Sequence, residues 1–220
     1  MKPKILIDNG HGKDTPGKCS PVMEDGSRYY EYAQTRIIAM RIVSELCARG
    51  YDAQLLVPEV NDVPLASRVE RANKMAKALG KDNVFVVSIH SNAAGNGGWM
   101  QGRGWSVWTS PGRTNSDQIA TCIFNRVEVE LQRARYSDTF TQEDYAKRQK
   151  PMRSDFSDGD CDFEAKFYIL TKTSCPAVLS ENLFHDNKAD VKFLLSEAGT
   201  NAIVQGHVHG IMDYIKQHYK

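Results

Sequence analysis

Short apolar runs that end in turn residues alternate along this chain with stretches of helical periodicity. The run KILID, residues 4–8, predicts a first strand. EYAQTRIIAMRIVSELCARG predicts a helix with an apolar line through Tyr32, Ile37, Met40, Val43 and Cys47, closed by Gly50. DAQLLV reads as the next strand, and PLASRVERANKMAKALG as a helix started by Pro64 and ended by Gly80. NVFVVSIH is apolar up to Ser88, the mark of a strand buried on both faces. A glycine-rich loop, AAGNGGWMQGRG, leads to the strand WSVWTS and then to a helix from about Asn115 to Arg133. Residues 135–164 are polar and weakly periodic, and predict a long loop or irregular cap of a length often tied to function. Two short strands, FYIL and AVLSEN, are expected around the turn TKTSCP, and NAIVQGHVHGIMDYIKQ closes the chain as a helix. This alternation predicts a wound α/β sheet. With no internal repeat or linker, the expectation is one domain over residues 1–220.

Composition narrows the partners. Lys and Arg total 28 against 27 Asp and Glu, a net charge of +1, so no strong overall field draws the chain to nucleic acid or a membrane surface. Nothing approaches the roughly 20 apolar residues of a membrane span, so no membrane insertion is expected. Cys19, Cys47, Cys122, Cys161 and Cys175 are odd in number, irregularly spaced and without a C-x-x-C, which argues for free thiols rather than a disulfide framework. Cys47, in a helical pattern, and Cys175, before Pro176, read as structural. Met1-Lys2-Pro3 runs straight into a strand, with no signal peptide in view.

Candidate chemistry gathers where strands end. His11 follows ILIDNG, His90 follows VFVVSI, and Glu181 follows PAVLS. In open α/β sheets ligands collect outside the carboxyl ends of strands. Gly10 and Gly12 are expected to let the backbone turn sharply around an uncrowded His11, although a plain turn histidine fits that stretch too. Glu31, opening the first helix, is a fourth candidate, preferred over Glu24 in the turn signature EDG. Two imidazoles and one carboxylate with an open position suit catalytic zinc, and a second carboxylate suits a general base. Glu31 and Glu181 could exchange those roles without changing the reaction class. Asp8 is either a strand-end turn residue or a group that orients an imidazole. His207 and His209, two apart on a helix, point to different faces and read as structural or surface residues. His185 is either a loop residue or a substrate contact. Trp105 and Trp108 read as strand packing, Trp99 as the better contact candidate, and Arg153 as either a solvated charge or a partner for a substrate carboxylate.

ILIDNGHG, the helix-opening Glu31, RVERAN, VVSIHSNA and PAVLSENLF stand in an order that resembles the zinc-dependent N-acetylmuramoyl-L-alanine amidases of the cell-wall amidase type 3 kind. The resemblance runs over nearly the whole chain. It implies a mixed, twisted sheet of about six strands flanked by helices, of the phosphorylase/hydrolase-like sort. It further implies zinc (Zn2+) held by His11, Glu31 and His90, with Glu181 as the catalytic glutamate. The implied partner is peptidoglycan, cut at the amide between the lactyl group of N-acetylmuramic acid and L-alanine. PEVNDVPLASR departs from the family pattern, which should alter a surface loop more than the metal site. Two rivals stand beside this reading: another zinc peptidase acting within the stem peptide, and a catalytically silent wall-binding module. The substrate lies outside the membrane and no export signal is visible, so the expectation is a phage or prophage lysin, or a chain that has lost its leader.

Overall fold

The computed structural model describes residues 2–95 and 97–219. Six strands form one sheet: β1 (Lys4–Asn9), β2 (Asp52–Leu55), β3 (Val84–Asn92), β4 (Ser106–Thr109), β5 (Phe163–Glu164) and β6 (Ala177–Phe184). Their order is β2-β1-β3-β6-β4-β5. The first four run parallel, whereas β4 lies antiparallel to β6, with β5 parallel to β4. The sheet is therefore mixed, as the resemblance implies. Because β1, β3 and β6 are parallel, their carboxyl ends open on one edge of the sheet; His11 lies just past β1, whereas His90 and Glu181 stand within the last residues of β3 and β6 rather than after them.

Seven helices cover the sheet among the described residues. On one face α1 (Glu31–Ala48), α3 (Asn115–Arg133) and α7 (Glu197–His218) pack over Ile5, Ile7, Phe85, Val87 and Ile89. On the other, α2 (Leu65–Leu79) and α5 (Tyr168–Lys172) pack over Leu6, Val84, Val86 and Leu179. The continuous apolar runs of β1 and β3 follow from this double cover. The short helices α4 (Gln142–Ala146) and α6 (Lys188–Leu195) complete the set.

Pro64 and Gly80 flank α2 as expected, and α3 spans the predicted residues, begun by a reciprocal cap between Thr114 and Asp117. Three expectations are corrected. In α1 the buried line is Ile38, Ala39, Ile42 and Leu46, with Glu31, Gln34 and Thr35. Ile37 and Met40 are 44% and 55% exposed, and Cys47 is exposed as well. Gln34 is accommodated inside because its amide donates to Leu194 O (2.9 Å) and Thr200 Oγ1 (2.8 Å), and Thr35 because its hydroxyl donates to Gly10 O (3.1 Å). The segment FYIL is not a strand. Residues 168–172 form α5, which buries the adjacent Ile169 and Leu170 against α2 and leaves Phe167 and Tyr168 partly exposed. A short apolar run alone does not separate these outcomes.

The third correction concerns residues 135–164, which hold a 3-10 turn (Tyr136–Thr139), α4 and β5 rather than continuous loop. Arg103 fixes this segment. Its guanidinium is 2% exposed and donates to Asp190 Oδ1 (2.9 Å), Asp144 Oδ2 (3.1 Å) and Thr139 Oγ1 (2.6 Å). Tyr136 OH donates to the same Asp190 oxygen at 2.7 Å. A buried guanidinium with this many acceptors is satisfied, and it ties the segment to α6.

Candidate active site

The histidine between two glycines is held by crowding. Beyond β1, Gly10 N donates to Ile89 O at 2.8 Å and carries the ladder one step further. A Cβ on Gly10 would stand 2.5 Å from Cε1 and Nδ1 of His90, and one on Gly12 would strike the Asn61–Asp62 backbone. Neither glycine has a positive φ; His11 itself takes the left-handed conformation, with φ 63°. The glycines thus supply room for close approach rather than the turn. The turn falls on the histidine, at a cost of about 1–2 kcal/mol.

Glu31 is the first residue of α1 and is 1% exposed. Its Oε1 accepts from Ser91 N (3.0 Å) and lies 3.2 Å from His90 Nδ1, while Oε2 lies 3.4 Å from His11 Nε2 and makes no hydrogen bond. The two imidazole rings meet edge to face, 5.1 Å apart at 88°. One ligand atom from each of His11, Glu31 and His90 lies within 4.8 Å of the others. Tetrahedral ligands about 2.1 Å from an ion sit about 3.4 Å apart. The set therefore fits a zinc-sized cation, and the buried, unbonded Glu31 oxygen is the atom such an ion would satisfy. Glu24, the weaker candidate, is a surface side chain 93% exposed.

Charge follows from this packing. Burial pushes His11 down to about 4, so its ring is neutral near pH 7, as a ligand must be. Burial acts upward on Glu31, but the neighbouring His90 and His11 and the Ser91 amide outweigh it and hold the carboxyl at about 2. For His90 burial acts downward, and the bond to Glu31 outweighs it, so the ring stays above the ordinary imidazole value.

Glu181 pairs in register with His90 across β3 and β6. Burial raises its carboxyl to about 7, with His90 opposing and Glu31 reinforcing the effect, and its Oε2 has no hydrogen-bond partner. A carboxyl balanced near neutral pH can both take and return a proton. His11, His90 and Glu181 open into a cleft of about 380 Å³ whose walls include Lys18, Phe167 and Tyr168.

Asp8 fits neither reading offered for it. It lies within β1, 2% exposed, and bonds Arg68 Nη1 (2.7 Å) and Ser88 Oγ (2.5 Å) rather than an imidazole. Arg68, the first residue of RVERAN, reaches Asp62 Oδ1 (2.8 Å) and Asn9 O (2.7 Å) as well, and so secures the loop under Gly12. His185 is buried behind Glu31: its Nδ1 is 3.8 Å from Glu31 Oε2 and 3.1 Å from both Ser91 O and Ser91 Oγ, and Tyr29 stacks against its ring. Sequence reading missed this support; the only cue was a histidine just past the β6 exit.

His207 is a satisfied core residue between Ile203 O (2.7 Å) and Ser180 Oγ (2.9 Å), and His209 faces Glu130 on the other side of α7. Trp105 is fully buried, Trp108 stacks on Phe163, and Trp99 lies half-buried beside Lys188. Arg153 stacks over Phe184, 5.0 Å from the ring centre.

Known proteins resemble this arrangement. Residues 5–213 match the family described as Amidase_3, N-acetylmuramoyl-L-alanine amidase. A sporulation-specific N-acetylmuramoyl-L-alanine amidase of Bacillus subtilis strain 168 is 26% identical over 210 residues, 94% of this chain and 66% of that protein. An endolysin of Bacillus phage SPP1 is 26% identical over 217 residues, 98% of this chain and 67% of its own length. This chain thus spans about two thirds of the length of these relatives. In three dimensions it resembles N-acetylmuramoyl-L-alanine amidase AmiC2 of Nostoc punctiforme, with a TM-score of 0.69, 24% identity and 98% of each chain covered. A family match over nearly the full chain, on a fold that brings the matching residues together, places this protein in the N-acetylmuramoyl-L-alanine amidase family Amidase_3.

Proposed function

We propose that this protein is a zinc-dependent peptidoglycan hydrolase that cuts the amide between N-acetylmuramic acid and the L-alanine of the stem peptide. The observation that carries the proposal is the convergence of His11, Glu31 and His90 within 4.8 Å beside the cross-strand neighbour Glu181. His11, Glu31 and His90 would hold the ion. Bound zinc supplies Lewis acidity, which activates water and polarises an otherwise inert carbonyl. The chain's own part is positional and protonic. Ser91 N fixes Glu31 beside the two imidazoles. Glu181 takes the proton of the attacking water at its unbonded Oε2 and returns it to the leaving nitrogen. The Asp8–Arg68 pair keeps the β1 exit and the 61–62 loop in place while this occurs.

Residues 1–220 form a single catalytic domain in this reading, acting on the wall outside the membrane. Among the described residues no helix is long and apolar enough to cross a membrane. The likeness to a phage endolysin supports the lysin version of its location.

Zinc-loaded protein incubated with purified peptidoglycan tests the proposal. Newly freed L-alanine amino termini are the expected product. Reducing sugar ends without them would overturn it. Amino termini from within the stem peptide would identify the peptidase rival, and no product at all the silent wall-binding module.

A further inference from the structure

Two arginines stand apart from the rest. Among the described residues every other arginine donates its side chain to a carboxylate or a carbonyl, as Arg41 does to Glu197, Arg103 to Asp190 and Arg126 to Asp213. Arg148 and Arg153 make no such bond, and both line one cavity of about 410 Å³ together with Lys150. No carboxylate side chain lines that cavity. Three cations line one concavity, and the carboxylate that acts on Arg153, Glu181, lies outside that lining, an arrangement that describes an anion site beside the candidate base.

The backbone fixes where this site lies. Trp105 N donates to Pro151 O (2.9 Å) and Arg153 N to Trp105 O (2.8 Å), so Met152 pairs with Trp105 as an added bridge beside β4. Ser106 is the register partner of Glu181, and Glu181 of His90. Register partners share a face of the sheet. Ser106, Glu181 and His90 therefore form one transverse row, and Arg153, the residue after the bridging Met152, stands at its end with Phe184 under the guanidinium. At about 4.8 Å per strand, Arg153 lies two strands, or about 10 Å, from Glu181. A peptide residue spans about 3.5 Å, so a group two or three residues along the stem peptide from the cut amide reaches it.

We propose that Arg153, with Arg148 and Lys150, forms a subsite for a carboxylate of the stem peptide and selects substrates that carry it free rather than as an amide. The proposal rests on the amidase reading above. Carboxylate matches the planar fork of arginine, whereas an amide would return fewer acceptors and no charge.

The test compares muramoyl peptides with free and with amidated stem carboxylates, cleaved by the zinc-loaded wild type, Arg153→Ala, Arg153→Lys and Arg148→Ala. The wild type should favour the free acid in kcat/KM by about 10-fold or more. That ratio should fall to about one in Arg153→Ala and be partly restored in Arg153→Lys. Equal slowing on both substrates would show that Arg153 acts on Glu181 instead, and a wild type without preference would equally overturn the proposal. Calorimetric binding of the stem peptide alone, acid against amide, to the same variants reads the subsite without turnover. Acid-selective binding lost in Arg153→Ala supports the subsite even if no amide is cut, in which case the amidase reading fails and the carboxylate site stands. Inorganic phosphate bound at Arg153 without selectivity for the peptide acid would point to a phosphate-bearing wall polymer and overturn the proposal.

Discussion

His90 and Glu181 face each other across the parallel pair β3 and β6, the one a candidate ligand and the other the candidate base. Their division of labour can be separated by substitution. Glu181→Gln should lower amide cleavage by about 10²–10⁴-fold while leaving zinc content unchanged. Metal analysis beside the cleavage assay checks both halves; loss of the metal together with activity would make Glu181 a ligand.

Gly10 is the second point of control. A methyl group there would stand 2.5 Å from the His90 ring and push it away from Glu31. Gly10→Ala should weaken zinc binding by about 10–100-fold, the range seen when support behind a ligand is lost. Equilibrium dialysis against a zinc buffer measures this directly, and unchanged affinity would contradict the packing described for the β1 exit.

How much of this was legible beforehand varies by residue. His11, His90 and Glu181 stand at the carboxyl ends of apolar runs that are unmistakable, so a parallel sheet alone brings them to one edge. Glu31 was legible only as a helix-opening carboxylate, because the turn from Tyr30 into α1 decides its direction. The α1 face is poorly legible because Ile37 and Met40 compete with Ile38 and Ile42, and the inward positions next to the site are polar. Gln34 and Thr35 are buried for the bonds they make to distant residues, which periodicity does not register. Thr141 and Asp144, a reciprocal cap, were the available signal for α4. Arg68 is the least legible: its partner Asp8 lies 60 positions away on another element.

The buried arginine at the root of the 135–164 segment makes a stability prediction. Arg103→Ala would leave Asp190, which is fully buried, with its charge uncompensated. Urea denaturation should show a loss of about 3–5 kcal/mol. The 135–164 segment should become the first site of proteolytic nicking, since Asp144 and Thr139 lose the same partner.

Asp162 gives a pH prediction away from the metal ligands. Burial, reinforced by Asp160, pushes its carboxyl from an ordinary 3.8 up to about 8, while Thr109 donates to it at 2.5 Å. The folded chain thus keeps a proton that the unfolded chain releases across this interval. The stability it contributes is present below about pH 4 and is lost as pH rises towards 8. Asp162→Asn should flatten that decline and be more stable than the wild type at pH 8 in chemical denaturation. A wild-type profile without such a decline would refute the assignment.

The order of the site along the chain has a consequence for biosynthesis. His11, Glu31 and His90 all precede residue 91, whereas Glu181 arrives on β6, the last strand among the described residues. A nascent polypeptide therefore carries its candidate metal ligands long before the candidate base is synthesised. On the proposed mechanism, an unfinished chain lacks the base needed to cut the amide.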